Sequence, residues 1–365
     1  MSDGDRNGVR PHLPQMGSDP FSVAPRALGY RWPAEWEPHA ATWVAWPRNP
    51  ETWPGKFDVI PGRFAELVRT IARFEPVRIL AGGAAVMADA KKHVGDHPNV
   101  ELIDIETNDA WCRDHGPMFL VGENKEMGQA VIVDWEYNAW GGKYPPFDED
   151  NAVPSQIAAL CQRRRFVPGI VLEGGSVEGN GRGTILTTES CLLNPNRNPG
   201  ISRTEAESYL TNYLGATKVL WLRRGELAGD DTDGHIDQLA RFVNPTTIVA
   251  AWDDDPADTN HEPLRANFEQ LSEMTDQDGN SFTVVRLPLP KPKFFHEQRL
   301  PACYCNFYLA NDGIIVPQFD DSADAGAIEI LQELCPDREV VGAASLDLVW
   351  GLGSFHCLTQ QEPAC

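Results

Sequence analysis

Apolar residues along this chain return in one order: a helix-spaced stripe, a short continuous run, then two runs joined by a turn-rich stretch. The first stripe covers residues 61–74. It puts Phe64, Leu67, Val68 and Ile71 on one helical face, with Pro61 where a missing N–H does no harm. A strand at 77–80 follows, and 118–135 reads as a hairpin turning through 122–128. The pattern predicts a second helix within 152–166, a strand at 170–172 and a hairpin around 179–183. A third helix begins at Ser202, where Ser202 and Glu205 make a capping box, and leads to a strand at 218–222 and a hairpin over 236–251. The fourth helix spans 263–274, before a strand at 282–287 and a hairpin turning at Asn311-Asp312-Gly313. The fifth spans 322–334, with a strand at 339–341 and a closing run over 346–358.

Helix starts near residues 61, 150, 202, 263 and 322 recur about every 60 residues after one longer first unit, which is repeat spacing. Such units cannot each bury their own apolar face, so they are expected to close into a ring. The early strand 41–46 would pair with the last unit and remove an open edge. The expected fold is therefore a single-domain, five-bladed, pseudo-symmetric α/β propeller over 31–365, preceded by a flexible arm over 1–30. An open α/β sheet fits the same periodicity.

Charge narrows the partners. The 365 residues carry a formal net charge of −22, which argues against nucleic acid or an anionic membrane surface and favours a cationic small molecule. No apolar run approaches the ~20 residues of a membrane span. The polar N-terminus has no export signal, so a cytoplasmic location and reduced thiols are expected. Eight cysteines form no CxxC pair and no zinc-like cluster. Cys303 and Cys305 alternate in an apparent strand, which would turn one of them to the core.

Candidate chemistry gathers at GDDTDGHIDQLARF (229–242), which sets His235 among Asp230, Asp231, Asp233 and Asp237. Apolar residues near alternate positions from 236 to 242 read as a strand, so this polar cluster would sit where a loop enters it. Asp114 before the first hairpin, Glu173 after the second unit's strand and Cys357 in the last unit occupy comparable places. In a ring, these residues would converge near one end of the axis. Asp114 and Asp237 could each grip the paired N–H groups of a guanidinium. Cys357 would be the nucleophile, His235 the acid and base, and Glu173 the group that orients the imidazole. Simpler readings remain open at this point. Cys357 could be a structural thiol, Asp114 could pair with Arg113 on the surface, and His235 could be a metal ligand, although HEXXH and a full EF-hand loop are absent.

The stretches ATWVAWP, NDAWCRDHGPMF, YNAWGGKYPPFDED, LEGGSVEGNGRGTILTTESCLLNPNRNP, DDTDGHIDQLARF, RLPACYCNFYLAN and GLGSFHCLTQQEP, in that order, resemble the agmatine deiminases. These belong to the peptidyl-arginine-deiminase-like group of the guanidine-modifying superfamily. The resemblance implies the five-fold α/β propeller and hydrolysis of agmatine to N-carbamoylputrescine and ammonia through a covalent intermediate on Cys357. It implies no metal and no organic cofactor, and a homodimer or larger assembly. It further implies that Trp111 packs on the substrate, that Gly353 lies at the substrate wall, and that Asp231 meets the distal ammonium, with Asp230 and Asp233 as competitors. Where the family pattern reads GGGNIHCITQQ, this chain has GLGSFHCLTQQ, so Leu352 stands in place of a glycine. A related deiminase or amidinotransferase acting on arginine, peptidyl-arginine or another guanidine is the alternative. A catalytically silent amine-binding propeller is the third reading.

Overall fold

Five times in the structure, two antiparallel strands are followed by a helix and a third strand parallel to the second. The computed structural model describes residues 23–124 and 127–365. One unit consists of Met118–Gly122, Val131–Val133, the helix Asp148–Leu160 and Arg165–Phe166. The next has Val177–Gly179, Thr184–Thr188, the helix Arg203–Leu214 and Lys218–Leu222. Then come Ala240–Asn244, Thr247–Trp252, the helix His261–Glu273 and Thr283–Pro288. The fourth has Tyr308–Leu309, Gly313–Gln318, the helix Asp324–Leu334 and Glu339–Ala344.

The fifth unit is assembled from both ends of the chain. Its first strand is Thr359–Pro363, which pairs antiparallel with His39–Ala45; the helix Ile60–Ile71 and the parallel strand Val77–Leu80 complete it. Closure through the early strand is thus as the sequence predicts. A further helix, Ala84–Val94, and strand, Val100–Ile103, extend this sheet to four strands, which accounts for the longer first spacing. Short turns suffice for the antiparallel joins, whereas each parallel join needs its crossover helix.

Local chemistry explains the helices. In Ile60–Ile71, Phe64, Leu67, Val68 and Ile71 are all buried, each contributing at most about 1.5–3 kcal/mol. Arg203–Leu214 opens on the Ser202–Glu205 capping box and ends on Gly215 at φ 77°. Among the described residues, no helix is long and apolar enough to cross a membrane.

Several expectations are corrected. The arm expected over 1–30 lies outside the described residues up to 22, but Pro25–Leu28 already forms a turn of 3-10 helix and Tyr30 pairs with Gly122. The strand expected at 170–172 is replaced by Arg165–Phe166. Pro168 and Gly169 (φ 76°) interrupt the run, and only Val171 bridges to Glu136. The strand expected from 236 begins at Ala240, because Ile236–Gln238 is a 3-10 turn that buries Ile236 and Leu239 three residues apart. Cys303 and Cys305 are both buried; Cys305 lies inside another such turn, Tyr304–Asn306, and Cys303 precedes it and caps it, its sulfur accepting from the Cys305 N–H. The closing run 346–358 holds two helical turns, Leu348–Gly351 and Phe355–Leu358, and the strand comes after it.

Candidate active site

Each unit begins with a single helical turn placed just before its first strand. These turns are Cys112–His115, Gly174–Ser176, Ile236–Gln238, Tyr304–Asn306 and Phe355–Leu358. They bring Asp114, the Glu173–Gly175 corner, His235 with Asp237, Asn306 and Cys357 into one buried cluster. Gly175 lies where three of these groups meet. A Cβ there would come within 2.6 Å of His235 Nδ1, 2.8 Å of Asp114 Oδ1 and 3.1 Å of Asp237 Oδ2. No larger residue fits without displacing them.

Asp114 accepts from the Gly175 N–H at 2.9 Å and from Trp140 Nε1 at 3.0 Å, and its Oδ1 lies 3.6 Å from His235 Nδ1. Arg197 Nε donates to Glu173 Oε1 at 2.6 Å, while Oε2 stands 3.9 Å from His235 Nε2. Asp237 Oδ2 is 2.8 Å from His356 Nδ1 and 3.5 Å from Cys357 Sγ. Asn306 holds the cysteine twice, with Nδ2 3.1 Å from Sγ and Oδ1 accepting from the Cys357 N–H at 3.2 Å. Of the ten buried side-chain polar atoms without a partner among the described residues, four are here: Glu173 Oε2, both ring nitrogens of His235, and Asp237 Oδ1. Buried polar atoms normally find partners, so this concentration marks a place built for a ligand.

Electrostatics sort the groups. Burial pushes the Cys357 thiol well above its ordinary pKa, and the charges of Asp237 and Asp114 add to the rise. Burial opposes charge on His235, yet Asp114, Cys191 and Glu173 hold its pKa well above the imidazole value. Burial would raise Glu173, but His235 and Arg197 more than offset it and leave the carboxyl below its usual range. Asp237 is likewise held low against burial, by His356, His235 and Arg241. Asp114 is raised by burial, which His235 only partly counters.

A cavity of about 790 Å³ opens above the cluster, with Asp114, Trp111, Gly353 and Cys357 on its wall. His235, Glu173 and Asp237 form the layer beneath and do not line it. Gly353 lets the Trp111 ring approach; a Cβ there would meet that ring at 2.4 Å. Seven carboxylate side chains line the wall (Glu51, Glu106, Asp109, Asp114, Glu149, Asp150 and Asp231), against two cations, Arg48 and Lys143. Asp231 stands at the rim, where Tyr144 Oη donates to it. Asp230 instead accepts from Thr232 and from the Gly234 N–H, and Asp233 from Lys143, Asn196 and Arg197, so both are committed to the loop.

The family profile described as Porphyromonas-type peptidyl-arginine deiminase matches residues 31–363. The chain belongs to this family. A curated agmatine deiminase from Pseudomonas syringae pv. tomato is 40% identical over 94% of this chain and 98% of its own. One from Pseudomonas aeruginosa is 39% identical over 95% and 99%. Among solved structures, the agmatine deiminase of Enterococcus faecalis superposes with a TM-score of 0.87 at 33% identity, covering 93% of this chain and 98% of its own. A C. jejuni agmatine deiminase with substrate bound gives 0.83 at 31%, covering 91% and 96%.

Within this member of the family, sequence reasoning left Asn306, Arg197, Trp140 and Cys191 unnamed. Asn306 had a readable signal: like Asp114, Glu173, Asp237 and Cys357, it falls within four residues before the first strand of its unit. Arg197 had none, since its partners Glu173 and Asp233 lie 24 and 36 residues away. Arg113, weighed as a surface partner for Asp114, is buried and donates to Gln361 Oε1 at 2.7 Å. His115 is buried with both ring nitrogens unpartnered, and burial lowers its pKa to about 4. Glu173, Cys191 and His235 bring one ligand atom each within 4.8 Å of one another, but the Arg197 guanidinium on Glu173 opposes a cation there.

Proposed function

We propose that this protein is an agmatine deiminase, converting agmatine and water to N-carbamoylputrescine and ammonium in the route from arginine to putrescine. One observation carries the reading: a cysteine thiol and the carboxylate Asp114 lie on the floor of a cavity with six further acids on its wall, with a second carboxylate, Asp237, 3.5 Å from the sulfur. A dication suits that wall, and a planar guanidinium suits two carboxylates beside a nucleophile.

In this reading Asp114 and Asp237 take the guanidinium N–H groups. Its positive charge reverses the field that keeps Cys357 protonated, and the thiolate forms beside the carbon it attacks. His235, already charged, gives its proton to the departing nitrogen, leaving a thiouronium on Cys357. Neutral His235 then takes a proton from water, which adds to the same carbon; collapse breaks the C–S bond, and the hydroxyl proton passes to the departing sulfur, restoring the Cys357 thiol. The proton that Cys357 released on binding leaves with ammonia as ammonium, so charge balances. Glu173 keeps the imidazole oriented and charged, and Asn306 Nδ2 donates to the sulfur as it gains charge.

A second reading, arginine as substrate, is favoured by Arg48, which lines the cavity and, among the described residues, has one hydrogen-bond contact, at 3.5 Å to Gly82 O. It could receive a substrate carboxylate. Comparing ureido-product formation from agmatine and from arginine, with Cys357→Ser protein alongside, tests both. An arginine preference above about tenfold would sink the agmatine assignment. Self-association, which the family resemblance implies, belongs to the same proposal and is checked by analytical ultracentrifugation.

A further inference from the structure

His356 follows no role assigned so far, yet it is the most completely bracketed side chain near the site. It is buried, with Nδ1 2.8 Å from Asp237 Oδ2 and Nε2 2.8 Å from Glu35 Oε2. A neutral imidazole has one N–H and one lone pair. Two carboxylates facing its two nitrogens therefore demand a second proton somewhere in the trio.

The surroundings say where. Glu35 Oε2 also accepts from Arg241 Nη2 at 2.8 Å and lies 3.5 Å from Arg113 Nη2; Oε1 accepts from the Leu309 N–H at 2.7 Å. Among the described residues, every hydrogen-bond partner of the Glu35 carboxylate offers it a nitrogen, so a carboxylic acid there would waste them. Burial would raise Glu35, but Arg241, His356 and Arg113 hold it well below the carboxylate range. On the other side, Asp237 meets Asn306 Nδ2 at 3.4 Å, again a donor. Glu178, paired with Arg241, and Gln361, paired with Arg113, complete the charged and polar groups around the ring. The proton belongs on the imidazole.

We propose that His356 is a positioning residue, a doubly protonated bridge from Glu35 to Asp237. It turns Asp237 so that Oδ2 is occupied and Oδ1 stays ionised and unpartnered for the cation. The proposal rests on the guanidine-hydrolase reading for the ligand, but not for the bridge itself. It also gives a task to Glu35, a residue 321 positions away from His356 in the chain.

Nitrogen NMR of ¹⁵N-histidine-labelled full-length protein at pH 7 tests the bridge directly, with the His356 signals assigned by their disappearance in His356→Gln. Two protonated ring nitrogens are expected; one lone-pair nitrogen would overturn the idea. Glu35→Gln, which keeps the volume and one acceptor oxygen, for the Leu309 N–H, while setting an amide donor toward His356, provides a second variant should His356→Gln fail to fold. It should convert His356 to a single neutral tautomer. Calorimetric titration of agmatine into Cys357→Ser protein, with and without Glu35→Gln, should show binding weakened about tenfold by the second change. An unchanged spectrum or unchanged affinity in Glu35→Gln would refute the bridge. If Cys357→Ser protein bound no agmatine while His356 carried both protons, the bridge would stand and the substrate reading would fall.

Discussion

The floor of the cavity and its rim are built differently. On the floor and in the layer directly beneath it, here taken together, Asp114, Glu173, His235, Asp237 and Cys357 are at most 5% exposed, and each sits on or beside a one-turn helix that leads into a strand. The rim is made of loops and short elements carrying Lys143, Tyr144, Asp231, Phe295, Trp350 and Leu352. Backbone strain follows the same division. Five of the seven non-glycine residues with positive φ among those described (Ala139, Trp140, Asp233, His296 and Leu352) lie in or next to rim segments. Strain persists where the surroundings over-determine it, and it clusters at ligand-contacting segments. The floor is thus suited to fix the reaction, and the rim to choose what undergoes it.

Changes to the floor should destroy turnover. Cys357→Ser is expected to lower kcat by at least about 10³-fold with an unaltered circular dichroism spectrum. Retained activity would place the nucleophile elsewhere. Asp114→Asn should reduce kcat/KM by about 10²-fold, because an amide offers a donor where Gly175 and Trp140 already donate. It also removes the largest influence raising His235, so the imidazole pKa should fall, which histidine NMR would record. Wild-type kinetics in that variant would break the division of labour at its centre.

Much of the floor was legible because its chemistry is local: a histidine among aspartates, a cysteine in a family-like stretch. The fold was legible through helix spacing, since amphipathic stripes declare themselves. The strand Thr359–Pro363 was not. It reads Thr-Gln-Gln-Glu-Pro, and all five residues are buried. Gln360 donates to Pro117 O, Gln361 accepts from Arg113, and Glu362 accepts from Trp43 and Arg78. Gln360 Nε2, Gln361 and Glu362 thus find these partners over two hundred positions distant, and hydrophobic periodicity carries no trace of that. Nor does it carry any trace of the Arg197 contacts or of the Glu35–His356 pair.

Changes to the rim should act on binding. Burial raises Asp109 to about 6 and Asp150 to about 7. Both acids are neutral below those values and charged above them, so the cavity grows more negative as pH rises from 5.5 to 8. KM for a dication should fall about three- to tenfold over that range, as initial-rate measurements would show. A KM that rises with pH would contradict the acidic-wall account. Asp231→Asn should raise KM about fivefold and leave kcat within a factor of two. An equal loss in kcat would mean that Asp231 belongs functionally to the floor.

The smallest effect gives the finest test of the boundary. Leu352 sits at φ 72°, ψ 14°, one residue before Gly353 and five before Cys357. Left-handed backbone costs a side chain about 1–2 kcal/mol relative to glycine. Leu352→Gly would relieve that, but it would also give up a half-buried leucine packed on the core, worth about half of the 1.5–3 kcal/mol of a fully buried one. The two contributions nearly cancel, so the melting temperature should move by no more than about 3 °C. Loss of the side chain widens the cavity mouth without touching Asp114, His235 or the sulfur. Agmatine kcat should therefore stay within about threefold, while KM for bulkier guanidines falls relative to agmatine. A drop in kcat of more than about tenfold would show that the Leu352 backbone conformation positions Cys357, and would move the edge of the floor outward to include it.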